Sequence, residues 1–180
     1  MCSSWCSALD DLIQQGKVAA ASRIELANSP IGMVVKAGTP KPDISTVAAL
    51  RQTLLAATSV AYSDSASGVY VGTELFARLG ITDEMKGKAH GIPAEPVAGV
   101  VARGDAELGF QQISELLPVG GVEIVGQLPA EVQKITVFSA GIASGAAHPA
   151  EAKALIAFMQ SPAARAVIVK SGLEPIPSAP

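Results

Sequence analysis

Short apolar runs alternate with amphipathic stretches along nearly the whole chain. Ala8 to Gly16 places Leu9, Leu12 and Ile13 on one helical face, with Gly16 as its stop. Ser29 to Gly38 reads as a strand around the apolar run Ile31 to Val35. The GTPKPDIS that follows carries Pro40 and Pro42, which forbid a helix before Ser45. Ser45 or Thr46 caps the next helix, with Val47, Leu50 and Leu54 inward. Ser59 to Tyr62 is a strand, and after a serine-rich turn Val71, Leu75 and Leu79 mark a helix that stops at Gly80. Lys88 to Ile92 is a short strand. Pro96 opens a helix striped by Val97, Val100 and Val101 and stopped by Gly104. Glu107 to Gln111 is a strand, and Ser114 starts a short helix ended by Pro118. Val122 to Val125 and Ile135 to Ile142 are strands. His148-Pro149 opens a helix through Met159, with Leu155, Ile156 and Met159 inward, and Ser161-Pro162 caps a last helix stopped by Gly172.

This alternation predicts an α/β fold of mainly parallel sheet flanked by helices. The Gly38 to Asp43 segment suits a crossover between two lobes. Composition narrows the class. Of 180 residues, 49% are apolar, 16% charged and 4% aromatic, which supplies a large aliphatic core and excludes a disordered chain. No apolar run approaches the ~18 residues of a membrane span. The net charge of −3 is spread out, and no basic patch with interleaved aromatics occurs, so nucleic acid is not an expected partner. Cys2 and Cys6 form a Cys-x3-Cys pair far in sequence from His90 and His148. That is not metal-ligand spacing, so neither a metal nor a cofactor is expected. No basic segment followed by an apolar stretch marks a signal peptide. Met1 to Ser7 leads straight into a helix, as if the chain begins partway through a fold.

Three strand ends carry the candidate chemistry, because ligands of open α/β sheets bind beyond the carboxyl ends of strands. The first is Ser63-Asp64-Ser65-Ala66-Ser67-Gly68, where three hydroxyls and backbone N–H groups suit an oxyanion. Asp64 would repel a bound anion and is assigned to helix capping. The second is Pro93 to Val97, where the Val97 and Ala98 amides are expected free in the first helical turn. The third is Gln111-Gln112; in an extended strand these point opposite ways, so one at most faces a ligand. Lys36 and Lys41 read as solvated surface charges. No Gly-x-Ser-x-Gly elbow, dinucleotide fingerprint or phosphate-loop lysine is present, and no carboxylate pair stands out.

The phrases LDDLIQQGKV, SPIGMVVKAGTPKPDIST, VAYSDSASGVYVGTELFARLGI, PVAGVVARGDAELGFQQISELLP, ITVFSAGIA and ALIAFMQSPAARAVIVKSGLEP, in this order, resemble the periplasmic solute-binding proteins of ABC transporters, in the molybdate-binding branch. The resemblance runs from Ala8 to Pro175. It implies a type 2 periplasmic-binding-protein fold: two lobes closing over an anion held by serine hydroxyls and backbone amides. It implies a periplasmic location and the transporter's membrane subunits as partners. It divides the chain into residues 1–38 with 136–180, an incomplete first lobe, and 39–135, the second lobe. By position it assigns the ligand to Ser63, Ser65, Ser67, Val97 and Gln112. Gln112 stands where the molybdate binders carry a tyrosine, so an organic carboxylate fits as well as molybdate. Close relatives include an isomerase acting on aconitate, which makes that enzyme the alternative function. The family's opening strand–helix–strand–helix portion has no counterpart here. A fragment, or a chain that forms a homodimer through the incomplete lobe, is the expectation that follows.

Overall fold

The structure, a computed structural model, describes residues 8–176. Cys2 and Cys6 lie outside the described residues. In chain order the strands are β1 (Ile24–Ser29), β2 (Ile31–Lys36), β3 (Val60–Ser63), β4 (Ala89–Ile92), β5 (Leu108–Gln112), β6 (Val122–Gln127), β7 (Thr136–Ala140) and β8 (Glu174–Pro175). The helices are α1 (Ala8–Gln14), α2 (Val47–Ala56), α3 (Ala66–Tyr70), α4 (Phe76–Arg78), α5 (Thr82–Met85), α6 (Val97–Arg103), α7 (Ile113–Leu116), α8 (Pro149–Met159) and α9 (Pro162–Lys170). A π-helical turn over Val71–Leu75 joins α3 to α4.

The chain divides into two compact units. Unit 1 is Met1–Asn28 with Val137–Pro180, and unit 2 is Ser29–Thr136. The first boundary therefore falls before β2, not after it as the sequence reading had it. The reason is pairing: β2 lies between β5 and β6 in the sheet of unit 2, whose order is β4-β3-β5-β2-β6. Only part of that sheet is parallel. β3 runs parallel to β4 and β5, while β2 runs antiparallel to β5 and β6. The mainly parallel sheet expected from the sequence is a mixed one.

Side-chain alternation gives this sheet two buried faces. On one, Ile31, Met33, Val35, Val60, Leu108 and Phe110 pack with Leu50 and Leu54 of α2 and with Tyr70, Val71, Leu75 and Phe76. On the other, Val34 and Ala61 pack with Val97, Ala98, Val100 and Val101 of α6 and with Leu116 of α7. Gly109 of β5 lets α6 sit close, since a Cβ there would lie 2.8 Å from methyl carbons of Val97 and Val101. Helix signals behave as their chemistry requires. The Thr46 Oγ1 accepts from the Ala49 N–H at 3.1 Å, and Gly104 closes α6 at φ 88°.

Unit 1 holds a three-stranded sheet of order β7-β1-β8, with β1 and β8 antiparallel, and the helices α1, α8 and α9. Ser161 caps α9 by accepting from the Ala164 N–H at 3.3 Å. Of the α8 stripe expected inward, only Ile156 is buried; Leu155 and Met159 are exposed.

Candidate functional site

β3 and β5 run in the same direction, so their carboxyl ends, Ser63 and Gln112, lie at one edge of the sheet in unit 2. The turn after β3 folds back sharply. Gly68, in the first turns of α3, lies against the Ser63 backbone so closely that a Cβ at position 68 would sit 1.5 Å from the Ser63 carbonyl oxygen. That approach brings three hydroxyls together. The Ser63 Oγ is 2.8 Å from the Ser65 Oγ and 3.2 Å from the Ser67 Oγ, and the Ser65 and Ser67 oxygens are 3.2 Å apart. Ser63 and Ser67 are buried and Ser65 is exposed, so the triangle opens to solvent on one side. Each hydroxyl has one proton and accepting lone pairs. The three can satisfy one another in a ring, and each can turn its proton outward to an incoming acceptor.

The structure gives the neighbouring residues roles that differ from expectation. Asp64 does not cap its own helix; its Oδ2 accepts from the Ala94 N–H at 3.3 Å and so ties the β3–α3 turn to the β4–α6 loop. Ala94 sits at φ 59°, a left-handed conformation unusual for a residue with a Cβ. The Val97 amide is not free. Its N–H donates to the Gln111 Oε1 at 3.1 Å, and the Gln111 Nε2 donates to the Glu115 Oε2. Gln111 thus faces α6, and alternation puts Gln112 on the other face with Leu108 and Phe110. α3 packs against both β3 and β5. Gln112 is only 5% exposed, and its amide makes no hydrogen bond among the described residues.

One polar group at this edge escaped the sequence reading. Ser29 is fully buried, and its hydroxyl has no hydrogen-bond partner in the structure. It lies two residues before Ile31, the cross-strand partner of Gln112. No sequence signal distinguished it, since it reads simply as the first residue of the strand Ser29 to Gly38. Lys36 and Lys41 belong elsewhere. β2 is antiparallel, so Lys36 ends it beyond Val35, the partner of Leu108, at the opposite edge from Gln112. The Lys41 ammonium pairs with Glu123 at 3.6 Å. Glu123 also accepts from the Gly38 N–H; that bond, together with Lys41, holds its carboxyl below the usual carboxylate range. Among the described residues no lysine or arginine is bonded to the serine triangle, and the hydroxyls it presents are neutral donors.

A mixed sheet flanked by helices, with a donor-rich strand edge, is the architecture of periplasmic binding proteins. A family model described as bacterial extracellular solute-binding protein matches residues 2–174, and the chain belongs to that family. A protein from Pseudomonas named aconitate isomerase is 51% identical over 174 residues, which is 97% of this chain and 66% of that relative. The chain thus spans slightly less than two thirds of that relative's length. Among solved structures, the periplasmic molybdate-binding protein of Azotobacter vinelandii aligns with a TM-score of 0.70 at 22% identity, over 94% of this chain and 74% of its own. A substrate-binding domain from Clostridium difficile, described as part of a molybdenum ABC transporter, aligns with a TM-score of 0.77 at 15% identity, over 93% and 72%. At those identities the likeness establishes the fold.

Proposed function

We propose that this chain binds a small anion, an organic carboxylate or an oxyanion, through the Ser63, Ser65 and Ser67 hydroxyls and the Gln112 amide. In this reading it is the solute-binding component of an ABC-type uptake system, working in the periplasm with the transporter's membrane subunits. The observation that carries the reading is the serine triangle, with oxygens 2.8 to 3.2 Å apart. The buried Ser29 hydroxyl, which has no hydrogen-bond partner among the described residues, and the Gln112 side chain at the end of β5 support it. Hydrogen bonds to a charged acceptor contribute about 1.5–3 kcal/mol each, so three hydroxyls and an amide supply about 6–12 kcal/mol toward binding without a counter-charge.

Isothermal titration of the purified chain with molybdate, sulfate, citrate and trans-aconitate tests this. Saturable heat from at least one anion, lost in Ser63→Ala and Ser67→Ala variants that keep the parent melting temperature, is the expected result. Equal binding in the parent and both variants would remove the serines from the site.

A second reading has its own support. The Pseudomonas relative's name favours proton transfer on an unsaturated tricarboxylate. Here a base would remove a proton from the methylene carbon and return it to the far end of the allylic system. A proton NMR time course with trans-aconitate decides it: appearance of the cis isomer supports catalysis, and an unchanged spectrum leaves binding alone. The homodimer remains part of the proposal for unit 1, supported by the exposed Leu155, Phe158, Val167 and Val169.

A further inference from the structure

Unit 1 holds a cavity of about 430 Å³, and every residue that lines it belongs to that unit. The volume falls within the range of small-molecule sites. One wall is Ala19, Ala21, Ser22, Ile24 and Ile142. A ring of hydrogen bonds fixes it in place. The Ala19 N–H donates to the Ile142 carbonyl at 2.9 Å, the Ile142 N–H donates to the Ser22 Oγ at 2.7 Å, and the Ser22 hydroxyl donates to the Ala19 carbonyl at 2.6 Å. The ring ties the short helical turn over Ala20–Ser22 to a residue 120 positions further along the chain. It also commits the Ser22 hydroxyl, so this wall offers a ligand mainly methyl and methylene groups.

The other wall is one face of α8. Lys153, Ile156, Ala157 and Gln160 line the cavity, at the spacing of three and four that sets helical side chains in one row. Leu155 and Phe158, invoked above for a dimer, fall on the opposite side of the helix. Lys153 is the cation in the lining. Its neighbours one turn away are Pro149, Ala150, Ile156 and Ala157, so α8 gives it no acid to pair with. Among the described residues its ammonium makes no hydrogen bond or ion pair. An ammonium with uncommitted donors at an apolar cavity complements an acid with an apolar body, since a charge-assisted hydrogen bond is about twice as strong as a neutral one.

We infer that this cavity is a second binding site, for an apolar monocarboxylate: the alkyl or aryl body lies among Ile24, Ile142 and Ile156, and the carboxylate takes the Lys153 ammonium. The cavity shares no residue with the serine triangle, so the inference stands whether or not that triangle binds an anion. Methyl NMR and calorimetry on the full 180-residue chain test it. The probes are octanoate, octanol and octylamine, each below its micelle-forming concentration.

Octanoate is expected to bind the parent saturably and to shift the methyl signals of Ile24, Ile142 and Ile156. Octylamine carries the wrong charge and gives no saturable heat. Lys153→Met keeps the apolar stem and loses the charge. Its octanoate affinity falls by about tenfold, the effect of one charge-assisted hydrogen bond, while its octanol affinity and melting temperature hold. Ala157→Leu, at an exposed helix position, fills the cavity and weakens octanoate and octanol alike. It carries the test if Lys153→Met does not fold. Unchanged octanoate affinity in Lys153→Met overturns the choice of an acid, and unchanged affinity in Ala157→Leu overturns the site. Shifts confined to Ile31 and Ile113 of unit 2 would put octanoate at the serine edge and overturn it too. A parent protein silent to octanoate overturns the inference outright.

Discussion

In unit 2 the large apolar side chains Phe110, Leu50, Leu75 and Ile81 are fully enclosed, whereas in unit 1 Leu155, Phe158, Val167 and Val169 are 60%, 59%, 68% and 58% exposed. The sequences of the two regions do not foretell this. Both carry aliphatic stripes at helical spacing. The difference is in layers: the sheet of unit 2 has helices packed on both faces, so every stripe finds a partner. In unit 1 the buried apolar residues are few, chiefly Val18, Ala27, Ile156 and Ala164, and the outer faces of α8 and α9 have no covering layer among the described residues. Burying a large aliphatic side chain is worth about 1.5–3 kcal/mol, so the stability of the chain is concentrated in unit 2. The candidate site sits on that stable unit.

The sharpest test of this contrast is a pair of truncations. Phe110→Ala is expected to cost about 3–5 kcal/mol, while Val167→Ala should stay within about 0.5 kcal/mol. Equal losses in urea unfolding would mean that unit 1 is buried in solution. The next test is a pair of glycines. Gly68→Ala drives a Cβ into the Ser63 backbone and is expected to cost about 3 kcal/mol or more and abolish anion binding. Gly145→Ala in unit 1, where a Cβ meets nothing within 4 Å, should leave the melting temperature in place.

A smaller effect is expected from Lys88→Met. The Lys88 ammonium donates to the carbonyls of Leu54, Leu55 and Ala57 at 2.9 to 3.0 Å, closing the C-terminal end of α2. Losing it should lower stability by about 2 kcal/mol, read in the same unfolding series. The smallest effect concerns acid. Glu123 titrates below its unfolded value because the Gly38 N–H and Lys41 favour its charged form. A depressed folded value stabilises above the unfolded value, and that contribution disappears as pH falls through the folded one. Glu123→Gln should therefore show a slightly shallower loss of stability than the parent between about pH 5 and pH 3, seen as converging urea midpoints.

What could be read from the sequence follows from what local chemistry encodes. Thr46 and Ser161 cap helices because a hydroxyl ahead of free N–H groups has one obvious use. The inward stripe Val71, Leu75 and Leu79 was legible from its spacing of four, and all three side chains are buried. The direction of β2 was not, since an apolar run reads the same in either sense. That single ambiguity moved the unit boundary and made the sheet mixed. Ser63, Ser65 and Ser67 were legible as a cluster, but their triangle depends on the backbone contact at Gly68, which no spacing rule announces. Asp64 and Val97 were misread for a common reason: each pairs with a residue far along the chain, Ala94 and Gln111 respectively.

The ring of three hydroxyls also sets how the site responds to its surroundings. Serine does not titrate in the physiological range, and neutral donors attract no counter-ion atmosphere for a ligand to displace. Affinity should therefore follow the ionisation of the ligand rather than of the protein, and should change little with salt where a lysine-lined site would weaken. Under the proposed binding role, such a site would hold its ligand with little change as acidity and ionic strength shift.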